Sequence, residues 1–407
     1  MTEYDLDWII SVDDHVIEPP HVWQEYVPAK FRDRAPRMTF DDGAELWHWD
    51  GKVYPTSGMN AAAGRDREEF SPLPLTYEEI RPGCYDPKAR VDDMDRDHVL
   101  ASMLFPTFPR FAGPLFSECS DHDLGLACIQ AYNNWMIDEW CGSAPGRFIP
   151  LVIVPLWDGR LAAEEVERCA AKGAKAITFP ELTAPLGLPS LHDPGRHWDP
   201  LFSALQDTGM PVCTHIGSSS QLPTTAPDAP LIVPTAMAVM NSQLACADWL
   251  YSGAFLRFPG LKLCLSEGGI GWIPYILERL DHVVETQRAW VTKKMELDFS
   301  TGSVVQMGDV ERGADDIDPY SVLPSHLFRD HVYGCFIQDE YGAANIDRIG
   351  ARNIMIEVDY PHTDCTWPHS LETAHRALAG CTDEQQWLIL QGNARRVFDF
   401  EPAAPPA

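Results

Sequence analysis

The chain has 407 residues, 45% of them hydrophobic, and a formal net charge of -29. At ~100–200 residues per domain this length suits two or three domains, or one α/β barrel, with ample apolar material for a core. Lys and Arg do not cluster, so there is no footprint for a phosphate backbone or an anionic membrane, and nucleic-acid and membrane partners are excluded.

The first ten residues, MTEYDLDWII, show no basic segment followed by an apolar one, so no signal peptide is expected. The first predicted strand, Trp8–Val12, runs into Asp13, Asp14 and His15, with Glu18 beyond. Residues two apart on a strand share a side, so Asp13 and His15 point together. Carboxylate and imidazole side by side suit a divalent metal. Residues 24–95 then break any regular alternation. Within them Glu45–Tyr54 reads as a hairpin around Asp50-Gly51, followed by Pro- and Gly-rich coil to Pro87. This stretch is read as an insertion after the first strand, placed to cap the mouth of a barrel.

From there short apolar runs alternate with amphipathic ones. Strands are expected at Val99–Phe105, Phe148–Val154, Ala174–Phe179, Pro211–Thr214, Leu261–Leu265, Val332–Ile337 and Asn353–Val358. Helices are expected at Asp121–Trp140, Arg160–Lys172, Trp198–Thr208, Ala236–Tyr251 and Ile273–Lys294. Eight short, unalternating strands with helices between them imply a (β/α)8 TIM barrel, a single α/β domain over residues 1–400. A long irregular stretch, Gly217–Pro234, follows His215, as a functional lid would. The last residues, 401–407, are expected to be a disordered tail. Eleven scattered cysteines contain no C-x-x-C pair, and Cys213, Cys264 and Cys335 lie in apolar runs. They read as reduced, buried thiols of a cytoplasmic protein.

Three later strands also end in metal-capable residues: His215, Glu267 before Gly268-Gly269, and Asp359 with His362 and Asp364 after it. In a barrel all such strand ends meet at one face. The coincidence of four of them is the argument for a site.

These residues also carry a resemblance. D-x-H at Asp13–His15, the strand-end His215, FPGLKLCLSEGG, VDYPH and GNARRVF together resemble the amidohydrolase superfamily. The branch is that of aminocarboxymuconate-semialdehyde decarboxylase, related aromatic-acid decarboxylases and lactone hydrolases. The resemblance implies that Asp13, His15, His215 and Asp359 are metal-ligand positions. It departs from the branch at Asp13, where H-x-H is common, and at Glu267, where these decarboxylases usually carry a catalytic histidine.

Two readings follow. Counting Glu18 and Glu267 with the other four gives four carboxylates and two histidines, the donor set of di-iron carboxylate proteins. The chain then resembles the non-haem di-iron monooxygenases of this fold. It would hold two iron ions on Asp13, His15, Glu18, His215, Glu267 and Asp359, with His362 and Asp364 as catalytic proton donors. Such an enzyme needs O2, an electron donor and a dry cavity. Trp47, Trp49, Tyr54 and the segment Ala236–Met240 are candidates to line that cavity, for a bulky terpenoid-like or aromatic acid or its thioester. The alternative is one Zn or Mn ion on Asp13, His15, His215 and Asp359. It would serve a hydrolase or decarboxylase acting on a small carboxylated or lactone substrate. The insertion serves a homodimer contact as readily as a lid.

Overall fold

The computed structural model describes residues 4–41, 43–309 and 317–406. Eight parallel strands form the core: β1 Ile9–Val16, β2 Val99–Pro106, β3 (Phe148–Ile149 and Leu151–Val152, broken at Pro150), β4 Ala176–Pro180, β5 Val212–His215, β6 Leu263–Ser266, β7 Val332–Phe336 and β8 Ile354–Ile356. Each pairs with the next in chain order. The circle closes just past β8. There the Asp359 N–H donates to the Asp13 carbonyl at 2.8 Å, His15 N–H to the Tyr360 carbonyl at 2.7 Å, and Val358 N–H to Ser11 Oγ at 3.0 Å. This is the expected (β/α)8 barrel.

Strand alternation sorts the core into two layers. Ile10, Val12, Ala101, Met103, Ile149, Ala176, Cys213, Cys264 and Met355 fill the barrel interior. Their neighbours Ile9, Leu104, Val152, Ile177, Val212 and Leu263 face the helices. Both faces are dry, which is why these strands read as unbroken apolar runs.

The helices follow local signals. Asp121 caps His122–Trp135, which continues as a π turn over Met136–Trp140. Asp158 caps Gly159–Ala170, and Gly209, at φ 73°, ends Asp199–Thr208. Two expectations are corrected. The helix expected over Ala236–Tyr251 is two pieces, Ile232–Met237 and Met240–Tyr251. The helix expected to reach Lys294 stops at Val291, and Lys293–Asp298 instead pairs antiparallel with Ser303–Asp309. Asp298 accepts the Ser300 N–H, and Gly302 supplies φ 70°, so the intervening residues turn the chain back on itself.

The region after β1 holds an antiparallel sheet, Arg37–Asp41, Ala44–Trp49 and Lys52–Pro55. Asp50 and Gly51 both take positive φ, 46° and 75°, as the tight hairpin turn requires. The expected insertion, 24–95, is too long at its end: Asp86 caps Pro87–Arg96, the barrel helix that leads into β2. The insertion lies against the C-terminal ends of the strands, where Ala62 and Ala63 N–H both donate to the Pro361 carbonyl. The tail also differs from expectation. Pro402 is buried and Ala403 N–H donates to the Gly146 carbonyl at 2.9 Å, so residues 401–403 are docked. The eleven cysteines are free, nine of them buried. Among the described residues no helix is long and apolar enough to cross a membrane.

Asp97 ties β2 to the helix Ser370–Ala377 by accepting the Ser370 N–H at 2.8 Å and its hydroxyl. Burial raises its pKa from 3.8 to about 6. A carboxylate with a raised folded pKa gives stability that is complete below its unfolded value and lost as pH rises through the folded one. Asp97→Asn, which keeps an acceptor for Ser370, is therefore expected to gain on the order of 2–3 kcal/mol over the parent at pH 8 and little at pH 4. Thermal melts of the two proteins at both pH values measure this.

Candidate metal centre

Four donors converge at the C-terminal mouth of the barrel. Asp13 and His15 extend inward from β1, His215 ends β5, and Asp359 follows β8. One ligand atom from each lies within 4.8 Å of the others, and all four residues are buried. His15 Nε2 and His215 Nε2 face each other at 3.1 Å. Asp359 Oδ1 is 3.2 Å from His15 Nε2, and Asp13 Oδ2 is 3.4 Å from His215 Nε2. His215 Nδ1 donates to the Ile216 carbonyl at 2.6 Å, which leaves the Nε2 lone pair free for the cluster.

The electrostatics call for a cation. Burial, then the carboxylates Glu357, Asp359 and Glu267, push the Asp13 pKa well up. Burial, then Asp364 and Asp14, does the same to Asp359. Burial lowers His215 to about 3 and takes His15 well down, so both rings are neutral. Both oxygens of Asp13 and of Asp359 are buried without a hydrogen bond. Among the described residues no Lys or Arg ion-pairs with any of the four. Buried carboxyl oxygens without partners, whose ionised form a cation alone would stabilise, beside two neutral imidazoles fit one divalent ion.

The other expected residues are placed differently. Glu267 touches the cluster from its rim, with Oε2 3.4 Å from His215 Nε2 and 18% of its side chain exposed. Its φ of 56° and the 61° of Asp359 are left-handed, strained values for side chains of this kind. The turn is held by Glu357, whose Oε1 accepts the Glu267 N–H at 3.0 Å, and by Gly268, where a Cβ would lie 2.4 Å from Ser242 Oγ. His362 stacks on His15 with ring centroids 3.5 Å apart and sets Nδ1 3.3 Å from Asp359 Oδ1; its buried Nε2 has no partner. Asp364 is exposed. Glu18 is the clear correction. Its two oxygens accept the Thr107 and Phe108 N–H groups, both at 2.9 Å, so it anchors the loop after β2 and does not join the cluster.

The expected cavity lining is also corrected. Trp47 and Trp49 are buried in ring contacts with Trp23, Phe108 and Phe116, while Met237 and Met240 are partly exposed. Over the donors lies Phe111 instead, its ring 4.4 Å from His215 and 4.9 Å from His15. Two buried acids escaped the sequence reading. Glu357 sits two residues before Asp359, a period-two signal that was there to use. Glu181, one residue past β4, gathers the Gly217 and Ser219 N–H groups, the Ser218 and Ser219 hydroxyls and the Asn241 amide. It thereby fixes the start of the loop behind His215.

A protein-family model described as Amidohydrolase matches residues 36–400. The chain belongs to the amidohydrolase family. It is 26% identical over 211 residues to the 2-amino-3-carboxymuconate-6-semialdehyde decarboxylase of Dictyostelium discoideum, a match to 51% of this chain and 54% of that enzyme. The chain spans about half the length of the curated relatives it matches. In fold it is similar to an amidohydrolase from Mycobacterium avium subsp. paratuberculosis, with TM-score 0.73 and 22% identity over 98% of this chain and 100% of that one. A 5-carboxyvanillate decarboxylase from Novosphingobium aromaticivorans, complexed with manganese and 4-hydroxy-3-methoxy-5-nitrobenzoic acid, aligns with TM-score 0.61 and 16% identity. The alignment spans 98% of this chain and 100% of that one. The expected di-iron monooxygenase of this amidohydrolase finds no support, nor do its two irons, O2 and electron donor. Four donors converge where six were counted, and the curated relatives this chain matches are decarboxylases.

Proposed function

We propose that this amidohydrolase is a metal-dependent, non-oxidative decarboxylase of a small carboxylated substrate, using one divalent ion held by Asp13, His15, His215 and Asp359. The observation that carries the reading is the single compact set of four buried, otherwise unpartnered donors. Bound there, the ion would act as a Lewis acid on the substrate's oxygens.

The chain's own residues do the rest. When the carbon–carboxylate bond breaks, CO2 leaves and the electron pair stays on carbon, which must take up one proton. Among the described residues, the titratable side chains Glu267 and His362 touch the donors without belonging to them. Glu267, with one edge exposed, carries the proton from solvent to that carbon and is reprotonated from water. His362 orients the substrate through its free Nε2. Phe111 shields the donors from bulk water.

A hydrolase is favoured by one observation: a strand-end carboxylate at Glu267 is also the group that would activate a water. The deciding experiment is metal analysis of protein purified without chelator or added zinc, together with a CO2-release assay on aromatic and dienoic acids in the absence of oxygen. About one manganese or zinc per chain and CO2 release are expected. Two irons per chain would overturn the proposal, and product formation from lactones without CO2 would move it to hydrolysis.

A further inference from the structure

We propose that the face of the barrel opposite the metal centre holds a second ligand site, for a small phosphate-bearing molecule, framed by Arg329, Arg348, Arg352 and Arg396. It stands apart from the decarboxylation proposed at the mouth and does not depend on it.

A cavity of about 480 Å³ opens at the N-terminal ends of β7 and β8. That size is within the roughly 300–1,000 Å³ of small-molecule sites. Four separate pieces of chain bring the arginines to it. Arg329 comes from the last turn of the helix Pro324–His331, which leads into β7, and Arg348 from Ile346–Ile349. Arg352 stands two residues before β8. Arg396 belongs to Asn393–Val397, the helix that closes the barrel floor. Ala394 and Val397 of that helix join the interior apolar layer, and the Asn393 amide donates to the Ala351 and Ile354 carbonyls at 2.7 and 2.8 Å.

Among the described residues none of the four guanidinium groups pairs with a carboxylate. Arg329, Arg348 and Arg352 are exposed, and their side chains make no hydrogen bond. Arg396 donates to neutral groups alone: the Tyr333 hydroxyl at 3.3 Å, the Arg352 carbonyl at 2.8 Å and Asn393 Oδ1 at 3.1 Å. Two acids, Asp330 and Asp347, line the same cavity. Neither ion-pairs with an arginine, and Asp347 instead accepts the Gln385 amide at 2.9 Å.

Four arginines against two acids leave this cavity two charges positive, in a chain whose formal charge is -29. Gathered at one opening, the guanidinium groups repel one another until an anion lies between them. The excess selects a dianion, and the geometry selects its shape. A carboxylate offers two oxygens in one plane and a single charge. A phosphate monoester offers three terminal oxygens and about −1.5 to −2 charges at pH 7, so several segments of chain can donate to it at once. Guanidinium forks match such oxygens in pairs.

The test is calorimetric titration of the manganese-loaded enzyme with phenyl phosphate, inorganic phosphate and phenylacetate. Phenyl phosphate is expected to bind about 10-fold or more weakly to the Arg348→Gln/Arg352→Gln variant than to the parent. It is expected to keep its affinity in His215→Ala, which separates this face from the metal centre. Asp330→Asn, which removes a competing charge, is expected to tighten binding by up to about 5-fold, a gain that misfolding cannot imitate. Tighter binding of phenyl phosphate than of inorganic phosphate assigns a phosphate ester, and the reverse assigns free phosphate. No binding of either at roughly millimolar concentration, an unchanged affinity in the double arginine variant, or loss of binding in His215→Ala overturns the proposal. Arginine-dependent binding of phenylacetate as tight as that of phenyl phosphate overturns the choice of phosphate. Each of these readouts is a binding constant, so absence of CO2 release would sink the decarboxylase reading and leave this one standing.

Discussion

His215→Ala is expected to lose its metal and on the order of 100-fold or more of its activity while the barrel stays folded. The lower bound comes from loss of a ligand's outer partner alone, which costs ~10–100-fold, and removal of the ligand itself costs more. Nε2 of His215 is one of only two neutral nitrogen donors in the cluster, facing its counterpart on His15 at 3.1 Å. Without it the ion would be left to two carboxylates and one imidazole. The strand survives because β5 is held on both sides, by β4 and by β6. Metal content by mass spectrometry, far-ultraviolet circular dichroism and turnover distinguish the outcomes. A folded variant with full metal and full activity would remove the barrel-mouth site altogether.

Glu267→Gln is expected to separate binding from chemistry. Gln has nearly the same shape but cannot deliver and recover a proton, so kcat should fall by ~10²–10⁴-fold. Metal occupancy should stay near one per chain, because Glu267 touches only His215 from the rim and lies outside the four-donor set. KM should change little. Loss of metal along with kcat would instead make Glu267 a ligand, and an unchanged kcat would pass the proton to His362. Each result is read from metal content and steady-state rates on the same preparation.

Much of this site could be read from the sequence, because strand-end donors in a barrel have only one face to point to. Asp13, His15, His215 and Asp359 fall on one point for that reason. Glu18 did not follow because β1 runs on to Val16, and past its end the alternation that orients Asp13 and His15 no longer applies. Its carboxylate instead answers two bare N–H groups of a loop from a distant part of the chain, which no local pattern records. Glu357 was legible by spacing but was masked by the apolar run around it. The hairpin from Lys293 was hidden because it continues a strongly helical segment, and only the turn chemistry of Asp298 and Gly302 marks the reversal. The tryptophans of the insertion were visible as aromatic content, but whether a ring fills a core or lines a void depends on partners such as Phe108 and Phe116 from elsewhere in the chain.

The seam between β1 and β8 also sets a clock. Ser11 and Val358 bond across a separation of 347 residues. At ~5–20 residues per second, the ribosome needs roughly 20 to 70 s to pass from one to the other. Throughout that interval Asp13 and His15 have been made and Asp359 has not. A nascent chain therefore offers passing ions two of the four donors, and three once His215 is made, so the complete set of ligands exists only after the last strand docks. In this barrel the order of synthesis postpones the complete metal site to the final act of folding.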